Sequence, residues 1–215
     1  MTAMILAAGL GTRMRPLTNH TPKPLLEVRG KPLIVWHIER LKRAGFTTIV
    51  INVAYLGYKI VEYLGDGSKY GVTIIFSDEQ NEGALETAGG IVKALDALSD
   101  TFLVVNGDVW TDFSYDPHFI LSDGLLAHLV LVDNPKHNPD GDFLLTNTQQ
   151  TYTFSGIAYY SKKMFKDLAY GKQSLAPLLF DAQENQKLTT EYYSGEWYDI
   201  GTPERLEYLN REIEV

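Results

Sequence analysis

The chain has 215 residues, 45% hydrophobic and 21% charged, with a net charge of −8 and no cysteine. This length suits one domain with a continuous core. The composition excludes disulfides and thiolate chemistry, shows no apolar run of about eighteen residues that could span a membrane, and argues against nucleic acid as a partner. Met1-Thr2 leads directly into apolar residues without a basic segment or a small-residue cleavage site, so no signal peptide is expected. The missing cysteines fit a cytoplasmic address.

Residues 3–8 form a continuous apolar run of the kind buried on both faces of a parallel sheet. A glycine-rich loop over 9–21 and a Pro-Lys-Pro break at 22–24 follow. Apolar positions Leu33, Ile34, Trp36, Ile38 and Leu41 predict an amphipathic helix over 32–44, ended by Gly45. The β-branched run 47–53 predicts a strand, then a helix over 57–64, a turn at 65–68 and a strand at 72–76. A helix over 87–98 and a strand over 102–106, ending in Gly107-Asp108, complete an alternating βαβ half. The second half changes character. Strands over 125–132, 143–146 and 151–160 read as an antiparallel addition, followed by helices near 162–170 and 174–185, a strand over 188–193 and a closing helix from Pro203 to Val215. The pattern is that of an α/β fold with a mixed, mainly parallel central sheet.

Charge is unevenly spread. Residues 1–43 hold eight Lys and Arg against two Glu, about +6, which leaves the remainder at about −14. A basic segment on an acidic chain suggests a local anion site. Three of those cations, Arg13, Arg15 and Lys23, sit among glycines and prolines in Leu6-Ala7-Ala8-Gly9-Leu10-Gly11-Thr12-Arg13-Met14-Arg15-Pro16-Leu17-Thr18 and Pro22-Lys23-Pro24-Leu25. Glycines after a buried strand let backbone N–H groups approach a phosphate. Neither common phosphate loop fits. A dinucleotide fingerprint starting at Gly9 needs glycine where Met14 stands, and no Gly-Lys-Ser/Thr is present. Asp108 lies after an apolar strand, at the carboxyl edge where open α/β sheets place ligands. Asp199 lies in Trp197-Tyr198-Asp199-Ile200-Gly201-Thr202-Pro203, where Thr202 and Pro203 already serve as N-cap and N1 of the last helix. Leu85-Glu86-Thr87-Ala88-Gly89-Gly90 reads either as a helix start with glycines for close packing or as a backbone surface against which a nucleobase can lie.

The glycine-rich string with its Pro-Lys-Pro-Leu partner resembles the signature of the sugar-1-phosphate nucleotidyltransferases, and the resemblance covers nearly the whole chain. It implies a Rossmann-like three-layer fold with a small antiparallel sugar-binding lobe. It divides a single domain over 1–215 into a nucleotide-binding half, 1–112, and a sugar-binding half, 113–215. By that resemblance Ala8, Gly9, Gly11 and Thr12 hold the nucleotide, with Glu86, Gly89 and Gly90 at its base. Arg13 and Lys23 contact the triphosphate and the sugar phosphate, and Asp108 and Asp199 hold Mg2+. The partners implied are a nucleoside triphosphate and a sugar 1-phosphate, with no nucleic acid or membrane, in a monomer or small homo-oligomer. The residues after Pro203 leave no room for the left-handed β-helix of acetyltransferase relatives.

The sugar end departs from the family pattern. Many members carry Glu-Lys-Pro after the central sheet, whereas this chain has Val132-Asp133-Asn134-Pro135, and only nine residues separate Phe143 from Thr153. The shortened hairpin implies a more open pocket. Together with the Leu-Glu-Thr string it is similar to the family's uridylyltransferases that act on N-acetylmuramic acid 1-phosphate in bacterial cell-wall recycling, with Gly141, Asp142, Ser155 and Gly156 lining the pocket. Guanylyl transfer to mannose 1-phosphate, thymidylyl transfer to glucose 1-phosphate and a non-catalytic nucleotide-sugar sensor remain as alternatives. The five histidines have no motif around them and are expected to be structural or exposed.

Overall fold

The computed structural model describes residues 1–213. In chain order the strands are β1 (Thr2–Leu6), β2 (Glu27–Val28), β3 (Lys31–Pro32), β4 (Thr48–Val53), β5 (Thr73–Asp78), β6 (Thr101–Asn106), β7 (Val109–Thr111), β8 (Ala127–Val132), β9 (Phe143–Leu144), β10 (Thr151–Ser161), β11 (Leu188–Tyr192) and β12 (Trp197–Asp199). The α-helices are α1 (Leu33–Ala44), α2 (Gly57–Leu64), α3 (Glu86–Ala94), α4 (Ala176–Glu184) and α5 (Pro203–Glu212). The central sheet runs β11-β8-β10-β6-β1-β4-β5, with β9 paired to β10. β5, β4, β1 and β6 are mutually parallel and form one doubly-wound half.

Burial of both sheet faces explains the apolar strands. On β1, Ala3 and Ile5 belong to the cluster that includes Ile34, Ile38 and Leu41 of α1 and Ile60 of α2. Met4 points the other way, into a cluster with Ala88 and Ile91 of α3 and Leu179 of α4. This two-residue alternation between two covered faces produces the three layers. A third cluster joins Met14, Val28, Leu33 and Trp110 to Ile200, Leu206 and Leu209, and so fastens α5 beneath the glycine-rich loop.

Several elements differ from the sequence expectation. Of the added strands only β10 runs antiparallel, to both β6 and β8, while β8 and β11 are parallel to each other. Strand β1 stops at Leu6, because Ala7 N donates to the Asn52 side chain at 2.8 Å rather than to a neighbouring strand. The helix expected near 162–170 is a single 3-10 turn, Lys162–Met164, and α3 passes into a 3-10 turn over Leu95–Ala97. The ribbon β7/β12 and the ribbon β2/β3 are too short to leave a periodic signal. The last two residues of the expected closing helix lie outside the described residues. Among those described, no helix is long and apolar enough to cross a membrane.

Candidate active site

The carboxyl ends of β1, β4 and β6 open onto a cleft of about 730 Å³. One wall is the glycine-rich loop, Leu6 to Gly9, with Lys23 and Pro24; the other is Ala84, Glu86 and Thr87; Gly107 and Asp108 close one end. A second hollow of about 620 Å³ follows Gly9 to Met14 as far as Gly201, and shares Gly9, Lys23 and Asp108 with the first. Two chambers therefore meet at Lys23 and Asp108.

The loop is held in shape locally. Gly11 has φ +62° and lies against Thr18, whose Oγ1 donates to Gly11 O at 2.7 Å. A side chain at Gly11 would be strained by φ and would crowd the Thr18 methyl at 3.0 Å. Met14 is buried in the third cluster, and anchors the turn Thr12–Met14 on which Arg13 is exposed. Lys23 opens a later 3-10 turn, Lys23–Leu25, and its Nζ donates to Asp108 Oδ2 at 2.7 Å. The lysine side chain is 11% exposed and the aspartate 40%, so Asp108 is the accessible member of the pair.

Asp108 is placed by Gly107. Its N–H donates to Leu6 O at 2.9 Å, and a Cβ there would collide with that carbonyl. The ribbon β7/β12 then brings the second aspartate alongside, since Asp199 pairs with Val109 and Ile200 N donates to Asp108 O at 2.8 Å. The carboxylate of Asp199 accepts from Arg205 Nη1 at 2.6 and 2.7 Å and lies 3.3 Å from His137 Nε2. Arg205 sits in the first turn of α5, whose N-cap is Thr202 and whose first residue is Pro203. Among the described residues no three His, Cys, Asp or Glu cluster to hold a metal by themselves. Asp108, just before β7, and Asp199, on β12, thus adjoin through the backbone, while Asp199 lines the hollow of Pro135, His137 and Tyr208 rather than either chamber.

The cleft floor is a buried polar chain. Asn52 accepts from Ala7 N, and its Nδ2 donates to Glu79 Oε1 at 2.8 Å. Glu79, fully buried, also accepts from Leu85 N at 2.9 Å. The loop after β1 and the segment before α3 are thereby tied together. Gly90 makes room for this chain, for its absent Cβ would lie 2.8 Å from Glu79 Oε1 and 2.9 Å from Asn52 Nδ2. Gly89 packs against the backbone of Gly171 and Gln173. Both glycines therefore stand behind the wall, while Glu86 and Thr87 line it. Glu86 takes φ +60°, uncommon for a residue with a Cβ, and Lys172 Nζ lies 3.4 Å from its carboxylate.

Gly141, Asp142, Ser155 and Gly156 come together on β10 and the preceding loop, outside the cleft's lining. Asp142 accepts from Asn138 Nδ2 at 3.0 Å and Phe154 N at 2.8 Å. Ser155 is buried and donates to Val130 O at 2.7 Å, within the bulge that shifts the register between Phe154 and Ile157. Gly156, φ +79°, sits in that bulge, where a Cβ would lie 2.7 Å from Asn106 Cγ. Since Asn106 lines the cleft, the bulge backs the site.

Sequence reasoning did not single out Asn52, Glu79, Asn106, Arg205 or His137. The first three are polar residues at or just past the carboxyl ends of apolar strands, a signal present in the sequence. His37 does fit the structural expectation. It is buried, its Nε2 has no partner among the described residues, and its pKa is pushed down to about 4, by burial first and by Arg40 second.

The nucleotidyl transferase family profile matches residues 2–123. Over 96% of its own length and 95% of the relative's, the chain is 51% identical to the N-acetylmuramate alpha-1-phosphate uridylyltransferase of Neisseria meningitidis serogroup B. A Bacillus anthracis structure assigned as a glucose-1-phosphate thymidylyltransferase superposes with a TM-score of 0.85 at 24% identity, covering 100% of this chain and 97% of that one. The CTP:phosphocholine cytidylyltransferase of Streptococcus pneumoniae superposes with a TM-score of 0.77 at 24% identity, covering 99% of each chain. At that identity the two superpositions speak for the fold alone, whereas the profile and the full-length relative extend to the family: the chain belongs to the nucleotidyl transferase family.

Proposed function

We propose that the chain transfers a uridylyl group from UTP to N-acetylmuramate 1-phosphate, giving UDP-N-acetylmuramate and pyrophosphate. The observation that carries this reading is the Lys23–Asp108 pair at the junction of two chambers. One chamber suits a nucleoside against Ala84, Glu86 and Thr87, the other a polyphosphate along Gly9 to Arg13. The choice of base and sugar follows the 51% identical, full-length relative.

An oxygen of the sugar phosphate, anionic near neutral pH, attacks the α-phosphorus of UTP. The new P–O bond forms as the α–β bridging P–O bond breaks, and the electron pair leaves on pyrophosphate. No proton has to move, so the site needs no general base. It needs positioning and cancellation of repelling charges. Backbone N–H groups of the loop Ala8 to Thr12 orient the triphosphate, Arg13 offsets its charge, and Lys23 draws the sugar phosphate toward the α-phosphorus. Asp108, just before β7, and Asp199, on β12, are hard oxygen donors that suit Mg2+, which takes few protein ligands and completes its shell with substrate oxygens and water. Bound there, the ion would supply neutralisation of the developing pyrophosphate charge.

Pyrophosphate release tests the reading, with UTP, dTTP, GTP and ATP crossed against the 1-phosphates of N-acetylmuramate, N-acetylglucosamine, glucose and mannose. Release greatest with UTP and N-acetylmuramate 1-phosphate is expected. Preference for GTP with mannose 1-phosphate, or dTTP with glucose 1-phosphate, would replace the substrates and keep the reaction. Thermal stabilisation by UTP without release from any pair would point to a sensor.

A further inference from the structure

Two basic side chains from separate elements converge on the carboxylate of Asp199. Arg205 Nη1, on α5, reaches both oxygens at 2.6 and 2.7 Å. His137 Nε2, in the loop between β8 and β9, lies 3.3 Å from Oδ2. That loop also carries Asp142 and is tied to β10, with Asn138 Nδ2 donating to Thr153 Oγ1 at 3.1 Å. Beside the trio opens a cavity of about 620 Å³ whose walls include Pro135, Trp197, Tyr198 and Tyr208. Gly201 stands between this cavity and the phosphate chamber. A Cβ there would lie 2.9 Å from Arg205 Nη1 and 3.6 Å from Arg13 Nη1. The pocket is thus next to the phosphate chamber, built on sugar-half residues, and equipped to hold a carboxylate.

An arginine and an imidazole that meet at one carboxylate form a carboxylate receptor, and the charge-assisted arginine–carboxylate pair carries geometric specificity. Asp199 occupies that point here, yet the same aspartate is one of the two proposed metal carboxylates. If it turns away, Arg205, partly buried beside an aromatic wall, loses its acceptor at a cost, and His137, on the exposed rim, is left free to pair with an incoming group. A substrate carboxylate would restore the pairing. N-acetylmuramate supplies one, the lactyl carboxylate, and N-acetylglucosamine has none. Glu204, the other acidic group lining the cavity, is exposed, where solvent screens it.

We infer that Arg205 and His137 form the subsite that recognises the lactyl carboxylate, with Asp199 filling it until the sugar arrives. The inference rests on the substrate reading above. It makes Arg205 and His137 the source of discrimination between N-acetylmuramate 1-phosphate and N-acetylglucosamine 1-phosphate. Arg205→Gln and His137→Gln test it, the second leaving the Arg205–Asp199 pair intact, with folding of each confirmed by thermal melting. The readouts are the kcat/KM ratio for the two sugar phosphates with UTP, and direct calorimetric binding of each sugar phosphate without UTP or Mg2+. In each variant the ratio should fall about tenfold or more, through a higher KM for the N-acetylmuramate substrate. Binding preference should fall with it. An equal loss for both sugar phosphates, with the ratio unchanged, would overturn the inference and leave the two residues as props for Asp199. A wild-type enzyme that turns over only carboxylate-free sugar phosphates would overturn the substrate reading as well.

Discussion

Lys23 and Asp108 neutralise one another at 2.7 Å in a cleft otherwise floored by apolar strand ends and a buried polar chain. On the proposed reading the bound state redistributes that pair, the lysine toward phosphate and the aspartate toward the cation. Asp108→Asn keeps the shape and removes the charge, so kcat should drop by about a hundredfold with the melting temperature little changed. Near wild-type turnover at saturating Mg2+ would take Asp108 out of the metal site. Lys23→Ala should raise KM for the sugar phosphate more than KM for UTP, and identical effects on both would reassign the lysine to the triphosphate. His37 makes a different kind of prediction. Its folded pKa of about 4 lies below the ordinary histidine value of 6.5, so between those values the unfolded chain binds a proton that the folded chain refuses. Stability should therefore fall by about 3 kcal/mol as pH drops from 6.5 to 4 through this group, with no further loss below. Urea titrations of wild type and His37→Gln across that window should show the shallower dependence in the variant. Sequence reasoning reached Lys23 because glycines and prolines around it left it unexplained as surface charge, and Asp108 because it follows an apolar strand at the carboxyl edge of the sheet. Arg205 and His137 escaped it because their meeting on Asp199 depends on a loop and a helix that are distant in the chain.

At the scale of elements, α3 lies close to its neighbours on two sides because two of its residues have no side chain. Gly90 faces the Asn52–Glu79 pair and Gly89 faces the segment Gly171 to Gln173. A methyl at position 90 gains about 1 kcal/mol of helix propensity, yet it must displace two hydrogen-bonded polar atoms inside 3 Å. Overpacking of this kind costs about 1–3 kcal/mol. Gly90→Ala should thus be net destabilising in chemical denaturation, and should raise KM for UTP because Ala7 and Leu85 are moored to the displaced pair. A stabilised variant with unchanged KM would show that the helix can shift outward without loss. Parallel strands and their covering helices were legible in the sequence, because burial on both faces produces continuous apolar runs and amphipathic helices. The direction of β8 and β11 was not, since an apolar run is the same in either direction. Nor was the reach of the segment after β10, where the single turn Lys162–Met164 is fixed by Lys162 N donating to Asp100 O at 2.8 Å, a contact far along the chain.

The whole molecule closes on itself at the glycine-rich loop. Arg29 Nε donates to Ile213 O at 2.9 Å, and Asn210 Oδ1 accepts from Arg29 N at 2.6 Å, so α5 is fastened to the β2/β3 ribbon. Beneath that fastening the third cluster joins residues from both halves of the chain, among them Met14 under the Arg13 turn and Trp110 just after Asp108. Arg13 and the two aspartates are therefore braced by one set of contacts. If this is a structural unit continuous with the sheet, it should unfold with the sheet. Trp110 lies in the cluster and Trp36 packs against it, so in a Trp197→Phe background tryptophan emission reports this region while far-UV circular dichroism reports the sheet and helices. The two probes should give coincident urea transitions in that background. Leu209 is fully buried in the cluster, and Leu209→Ala should cost about 2–5 kcal/mol and move both transitions together. If emission changes at lower urea while the dichroism midpoint stays in place, α5 and its cluster form a separately melting unit, and the two halves of the chain are joined less tightly than their shared core implies.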